Sequence, residues 1–164
     1  MSGERATGGP EERALVWRCS PFEALSPAEL HGIHMARQRV FVVEQDCAFL
    51  DADAADALAH HLAAWRRRQA EPVAYARLLP PGTKYADASI GRVLTSLSAR
   101  GQGLGRELTA RALSLVESIW PGAAIRISAQ SRLEAFYASF KFEVVGPRYL
   151  EDGIDHTEML RRPR

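Results

Sequence analysis

A glycine-rich turn between an apolar run and a helix-forming segment constrains this chain more than any other stretch. The turn, residues 100–105, reads RGQGLG and follows the apolar residues 90–97. The first turn of a helix leaves backbone N–H groups unpaired, and the helix dipole places partial positive charge there. Glycines let the backbone approach a phosphate closely. The order strand, turn, helix therefore predicts an anion site that can hold a diphosphate.

The spacing of the glycines distinguishes this turn from two common phosphate loops. A Walker loop needs Gly, four residues and then Gly-Lys-Ser/Thr, and the chain contains no such string. A dinucleotide loop needs Gly-x-Gly-x-x-Gly, and here Gly105 comes one residue early. The remaining pattern is Arg100-x-x-Gly103-x-Gly105.

Composition and charge limit the class of protein. A chain of 164 residues can form one domain with a substantial core, and a net charge of +1 gives no electrostatic case for nucleic acid. No apolar run approaches the roughly 18 residues of a membrane span. Residues 1–13 are predicted to be a disordered tail without a secretory signal, and residues 14–164 a single domain. Because two cysteines make no disulfide framework, we expect a cytoplasmic protein.

Hydrophobic periodicity predicts an α/β fold with one mixed sheet of about seven strands and helices on both faces. Two helices are predicted to begin at capping boxes, Ser26 with Glu29 and Ser131 with Glu134. A third is predicted from Leu104 to the Pro121-Gly122 break. The predicted strands span residues 14–19, 61–65, 72–79, 89–97, 124–129, 142–145 and 157–160.

Residues 100–105 resemble the acyl-coenzyme-A pyrophosphate loop of the GNAT N-acetyltransferase superfamily. A second motif resembles that family where Gln130 precedes Tyr137 and Lys141-Phe142 follows it. The chain is most similar to the ElaA-like branch, and the resemblance covers residues 17–159. The further matching strings are residues 40–47, 74–78, 90–93 and 151–156.

Three departures from the branch bear on function. Lys141 stands where the family has a glycine, which usually supplies a positive φ. Asp155 stands where the branch usually has proline. The acidic stretch with Asp51, Asp53 and Asp56 lacks the branch's glycine.

The resemblance implies a GNAT fold and transfer of an acetyl group from acetyl-coenzyme A to a primary amine of a small-molecule or peptide acceptor. It implies direct attack in a ternary complex, with Tyr137 donating a proton to the departing thiolate. We expect Glu44, His61 or His156 to assist deprotonation of the amine. The expected cofactor-binding residues are Val93, Leu94, Thr95, Arg100, Gly101, Gln102, Gly103, Leu104, Gly105, Arg106 and Gln130.

The sequence also permits tests of metal sites and of an acidic acceptor cleft. A calcium loop starting at Asp51 fails because Asp56 replaces the required glycine and Leu62 the final glutamate. No cysteine or histidine pair has a complete zinc spacing, so we expect no metal. Glu44, Asp51, Asp53, Glu151 and Asp152 would form an acidic cleft for a cationic amine if they converge.

Two alternatives stay open at this stage. The departures at Lys141 and in the acidic stretch suggest an acyl-coenzyme-A-binding sensor or partner module with little catalysis. The arginines at residues 66–68 suggest a nucleic-acid modifier, although a solvated hairpin tip fits the net charge better. We expect neither nucleic acid nor membrane as a partner and leave a homodimer open.

Overall fold

A mixed eight-stranded sheet organises the protein, which we describe from a computed structural model covering residues 9–164. The strands run in the order β1-β2-β3-β4-β5-β8-β6, with β7 paired to β8 beside this path. Among residues 9–164, β4 and β5 are the only strands that pair in parallel. The strands are β1 (Leu15–Pro21), β2 (His60–Arg66), β3 (Ala74–Leu79), β4 (Ala88–Thr95), β5 (Ile125–Gln130), β6 (Glu143–Val144), β7 (Tyr149–Glu151) and β8 (Ile154–Arg161).

In the described part of the chain, four α-helices and several short helical turns accompany the sheet. The α-helices are α1 (Pro10–Arg13), α2 (Pro27–Arg37), α3 (Leu104–Ile119) and α4 (Glu134–Ala138). The capping box predicted at Ser26 and Glu29 is confirmed, because each side chain accepts the other residue's backbone N–H. Helix α2 continues into a π-helical segment, Gln38–Glu44.

Helices cover both faces of the sheet, as predicted. The side chains of successive residues in a strand point to opposite faces of the sheet. Two neighbouring residues of β2 therefore show what packs against each face. Leu62 belongs to the cluster that contains Leu108 and Val116 of α3, whereas Ala63 packs with Ile33 of α2. The larger core therefore lies under α3 and the smaller one under α2.

The parallel pair β4–β5 opens a cleft in the middle of the sheet. The two strands pair only at Ala88 with Ile125 and at Ser89 with Arg126. Beyond these pairs, β4 continues along β3 through a bulge, while β5 continues along β8. The bulge leaves Arg92 in the left-handed region with φ of 50°. A gap thus separates the carboxyl ends of two adjacent parallel strands, a place where α/β sheets bind ligands.

Three local predictions meet different outcomes. The capping box predicted at Ser131 is wrong: its hydroxyl contacts Thr157 Oγ1 at 2.8 Å, because the neighbouring strand offers a competing partner for it. Lys141 adopts φ of 67°, so the turn predicted to need glycine forms without it. Of the predicted tail, residues 1–8 lie outside the described residues and Pro10–Arg13 forms one helical turn.

The arginine-rich segment at residues 66–69 is the turn between β2 and β3, as the hairpin interpretation predicted. The backbone N–H of Gln69 closes it on the Arg66 carbonyl at 3.1 Å. No helix within residues 9–164 is long and apolar enough to cross a membrane.

Candidate active site

The glycine turn forms an open cradle at the start of α3. Gly101 and Gly103 have φ of 78° and 75°, which only glycine adopts without strain. The first helical hydrogen bond joins the Glu107 N–H to the Gly103 carbonyl at 3.2 Å, so the N–H groups of residues 104–106 precede it. A Cβ on Gly105 would meet no protein atom within 4 Å, which leaves room for a bound group. This geometry fits a diphosphate.

The predicted residues around this cradle have distinct placements. Gln102 is exposed at the turn, and Leu104 is buried in the larger core. The Arg106 guanidinium lies over the rings of Phe136 and Phe140, at 5.8 and 4.9 Å from their centroids. Arg106 therefore offers its backbone N–H to the cradle while its side chain packs toward α4.

Arg100 and Glu44 form an ion pair beside the turn. The Arg100 guanidinium also donates to the Thr95 carbonyl, from Nε at 3.2 Å and from Nη2 at 3.1 Å. The hydrogen bond from Arg100 holds the pKa of Glu44 below its ordinary value. A carboxylate that is already paired and has a lowered pKa is a weak general base.

The gap between β4 and β5 contains a cavity of about 310 Å³. Its walls come from β4, β5, α4, the β7–β8 hairpin and the segment after α2. Of the predicted cofactor-binding residues, Val93 and Gln130 line it, and so does the predicted acid Tyr137. Leu94 is 3% exposed and packs in the smaller core on the opposite face. Because β4 has no β5 partner beyond Ser89, its backbone there can pair with an extended ligand.

Tyr137 is buried at the inner wall of the cavity. Its ring packs edge-on against Phe136 and Phe142, with centroids 5.1 and 5.8 Å apart. Burial raises the pKa of Tyr137 to about 12, so the phenol keeps its proton at neutral pH. Among the described residues, no group hydrogen-bonds to its hydroxyl, which leaves this donor for a ligand.

The hydrogen bonds after α4 fix the position of this tyrosine. The Lys141 N–H donates to the Ala138 carbonyl at 2.9 Å, and the Phe142 N–H donates to the Tyr137 carbonyl at 3.3 Å. This is the hydrogen-bond pattern of a Schellman motif, with Lys141 at the position that usually holds glycine. The motif ties the backbone of Tyr137 to the turn that leads into β6.

His156 is the one base candidate that the structure brings into the cavity. Its Nδ1 donates to the Ile154 carbonyl at 2.7 Å, which leaves the Nε2 lone pair free in the neutral ring. Nε2 lies 3.7 Å from the Glu151 carboxylate, and the ring stacks on Tyr149 at 6.0 Å. His156 thus has the orientation of an acceptor for an amine proton.

His61 is placed differently from the other base candidates. It is 1% exposed, and Nε2 donates to the Asp56 carbonyl at 2.9 Å. Nδ1 must then accept the Tyr75 hydroxyl hydrogen at 2.7 Å. Burial lowers the pKa of His61, which keeps the ring neutral. Both nitrogens are occupied away from the cavity, and this arrangement favours a structural role.

The acidic stretch is bound by arginines. Arg37, fully buried, donates to the carboxylates of Asp51 and Asp56 at 2.9 and 2.7 Å. Arg77 adds contacts to Asp53 and Asp56. Although burial opposes it, hydrogen bonding to these guanidiniums lowers the pKa of Asp56 to about 2. Because these acids are neutralised, the acidic cleft expected from five carboxylates is wrong, and only Glu151 and Asp152 line the cavity.

Sequence reasoning missed two cations on the cavity wall. Arg92 stands in the β4 bulge, where its Nε donates to Asp51 at 2.9 Å. Lys84 lies in the β3–β4 loop, which the sequence marked only as a break at Pro80-Pro81-Gly82. Arg92 could have been found from the sequence, because it lies in residues 90–93, one of the strings that resemble the ElaA-like branch. No sequence pattern pointed to Lys84. No group of three or more potential metal ligands occurs among residues 9–164.

Comparison with known proteins agrees with this geometry. The family described as acetyltransferase (GNAT) domain matches residues 35–162. The protein ElaA of Escherichia coli is 36% identical over 149 residues, which are 90% of this chain and 96% of ElaA. Its crystal structure superposes with a TM-score of 0.85 over 91% of this chain and 100% of that one.

An acyl-CoA N-acyltransferase from Pseudomonas aeruginosa is similar in both sequence and structure. It is 41% identical, with a TM-score of 0.86 over 90% of this chain and 99% of that one. A UPF0039 protein of Synechocystis is 42% identical over 90% of this chain and 96% of the relative. ElaA and the Pseudomonas acyl-CoA N-acyltransferase share the fold of this chain. The chain therefore belongs to the GNAT acetyltransferase family, within its ElaA and UPF0039 group.

Proposed function

We propose that the protein transfers an acetyl group from acetyl-coenzyme A to a primary amine by direct attack in a ternary complex. The observation that carries the proposal is the cavity between β4 and β5, which is lined by Tyr137 and His156. The glycine cradle follows β4 in the chain. Acetyl-coenzyme A supplies the acetyl group as a thioester: the amine nitrogen bonds to the carbonyl carbon, and the carbon–sulfur bond breaks.

Different residues of the chain bind different parts of the cofactor. Backbone N–H groups of residues 102–106 face the diphosphate. Arg100 borders them, with its charge offset by the ion pair with Glu44. The backbone of Val93, Leu94 and Thr95 pairs with the amides of the pantetheine arm. An N–H freed at the β4 bulge polarises the thioester carbonyl. Gln130 borders the arm from the end of β5.

Two residues move the protons. A lysine-like amine is neutral only about 0.04% of the time at pH 7, so a base assists it. His156 accepts this proton at Nε2, directly or through water, and Tyr137 gives its phenolic proton to the departing sulfur. The burial that raises the pKa of Tyr137 to about 12 keeps the phenol protonated at neutral pH, so the proton is present when the sulfur departs.

The structure argues against a covalent acyl-enzyme on Cys47, the cysteine of the cavity wall. Its Sγ donates to the Asp152 carbonyl at 3.5 Å, and partial desolvation raises the pKa of the thiol. A thiol with a raised pKa forms little of the nucleophilic thiolate. Direct attack by the amine needs no such intermediate.

The two sequence departures that suggested a non-catalytic acyl-coenzyme-A-binding module no longer support that alternative. Lys141 keeps the turn that glycine would supply, and Arg37 and Arg77 hold the acidic stretch through Asp56 although it lacks the branch's glycine. We keep a cytoplasmic location as a prediction.

Thermal unfolding with acetyl-coenzyme A, coenzyme A, ATP and NAD in parallel tests the cofactor. A ligand at 100 times its dissociation constant adds about 2.7 kcal/mol, or roughly 5–10 °C in Tm for a chain of this size. We expect the shift with the two coenzyme A species alone. Thiol release with a panel of amines then tests transfer; binding without release for every amine contradicts the proposal.

A further inference from the structure

The cavity has a positive and a negative wall. Lys84 reaches it from the β3–β4 loop. Glu151, Asp152 and His156 reach it from the β7–β8 hairpin. A site that had to hold only a cationic amine would need the acids but not the cation. The positive wall therefore indicates a second, negatively charged group on the ligand.

Lys84 is the cation of this cavity that the fold leaves without a close carboxylate. Within residues 9–164, no carboxylate oxygen lies within 4.0 Å of its ammonium, whereas Arg92 beside it is paired to Asp51 at 2.9 Å. Crowding by protein atoms lowers the pKa of Lys84; Arg92 and Arg77 add to this effect, and Glu151 opposes it. A bound anion would offset both the crowding and the neighbouring positive charge.

The acidic wall is built to receive an ammonium. The Glu151 carboxylate lies 3.7 Å from His156 Nε2 and accepts a hydrogen bond from the Ser128 hydroxyl at 3.3 Å. An ammonium beside Glu151 is therefore also beside the base that has to take its proton. No carboxylate oxygen of Glu151 lies within 4.0 Å of the Lys84 ammonium, so the two charges occupy separate places in the cavity.

The size of the cavity and its apolar surface restrict the class of ligand further. About 310 Å³ holds a small molecule together with the end of a pantetheine arm, but no folded partner. Phe41 and Phe49 line the same space and offer contact to an apolar body.

We propose that the acceptor is a small zwitterionic amine of the amino acid class, whose carboxylate binds Lys84 and whose amine lies beside Glu151 and His156. The inference rests on the proposed acetyl transfer and adds the substrate class to it. The apolar side chain of such an acceptor would contact Phe41 and Phe49.

The test compares three forms of the same acceptor in the thiol-release assay. Free amino acids with apolar side chains are measured beside their methyl esters and their decarboxylated amines. Esterification makes the amine less basic and so leaves more of it neutral; a preference for the free acid thus reports recognition of the carboxylate. We expect kcat/KM for the free acid to exceed that for the ester by about tenfold or more, the effect of a hydrogen bond to a charged group.

The substitution Lys84→Met removes the charge and keeps the length of the side chain. We expect it to bring the ratio of acid to ester close to one, mainly through KM for the acid, and Lys84→Arg to keep most of the preference. The chain has one other lysine, Lys141, which lies outside the cavity. Lys141→Met is the matched control and should keep the wild-type ratio.

The outcomes separate the two proposals. Turnover of esters or decarboxylated amines at least as fast as that of the free acids overturns the substrate class and leaves acetyl transfer standing. A preference for the acid that survives in Lys84→Met overturns the role of Lys84. Cofactor binding without thiol release for any amine overturns acetyl transfer itself, and the substrate class with it.

Discussion

Replacing Tyr137 by phenylalanine tests the proposed acid while leaving the fold in place. The phenol is 7% exposed, and its ring contacts Phe136 and Phe142, which phenylalanine at this position would contact equally. Its hydroxyl has no hydrogen-bond partner among the described residues. We therefore expect the free energy of unfolding to change by less than about 0.5 kcal/mol.

The expected loss lies in catalysis. General acid catalysis contributes about 100- to 10,000-fold, so we expect kcat of Tyr137→Phe to fall at least about 100-fold. Affinity for coenzyme A, measured by calorimetry, should stay nearly unchanged, because the cradle at residues 101–106 is intact. Since the pKa of Tyr137 is raised to about 12, the wild type should not lose this acid below about pH 11.

Tyr75→Phe is a matched control for which we expect the opposite effects on stability and on turnover. The Tyr75 hydroxyl is fully buried and donates to His61 Nδ1 at 2.7 Å, outside the cavity. Removing it leaves a buried acceptor unsatisfied, at a cost of about 1–3 kcal/mol, or roughly 2–12 °C in Tm. Turnover per folded molecule should not change. If Tyr137→Phe keeps kcat within threefold of the wild type, the acid assignment is wrong.

Three further predictions concern stability. Lys141→Gly should raise the free energy of unfolding by about 0.5–1 kcal/mol in chemical denaturation, because glycine removes the strain at φ of 67°; an unchanged midpoint would contradict this. Gly32→Ala should cost about 1–3 kcal/mol by overpacking, because its Cβ would lie 2.1 Å from the Ala70 carbonyl oxygen, and unchanged melting would refute that contact. The pKa of Asp56, about 2 when folded and roughly 3.9 when unfolded, contributes about 2–3 kcal/mol above pH 4 that is lost between about pH 4 and 2. Asp56→Asn should flatten this part of the curve of Tm against pH, and an equally steep curve would count against the ion pairs.

Local patterns in the sequence predicted most of the architecture. The Ser26 capping box, the apolar stripe of α3 and the glycine turn at residues 101–105 depend on contacts within a few residues, so their spacing carries the information. Strand β7 was missed, because its three exposed residues show no alternation of apolar and polar side chains. The Ser131 capping box failed because Thr157, 26 residues away in sequence, forms a hydrogen bond with the same hydroxyl.

The candidate site was predictable only in part. Tyr137, Gln130 and the cradle follow from two short motifs, each confined to one turn and its helix. Which of three base candidates enters the cavity could not be predicted, since His156 owes its place to pairing of β8 with both β5 and β7.

By itself, the sequence determined the local elements, the glycine turn before α3 and the family. Only the tertiary structure decided which charges are neutralised and which remain for a ligand. Asp51 is paired with Arg92, 41 residues away, and Glu44 with Arg100, 56 residues away. By contrast, Lys84 lines the cavity from the β3–β4 loop and Glu151 lines it from strand β7. Pairing between charges so distant in the chain depends on strand order and register, and no local pattern encodes either.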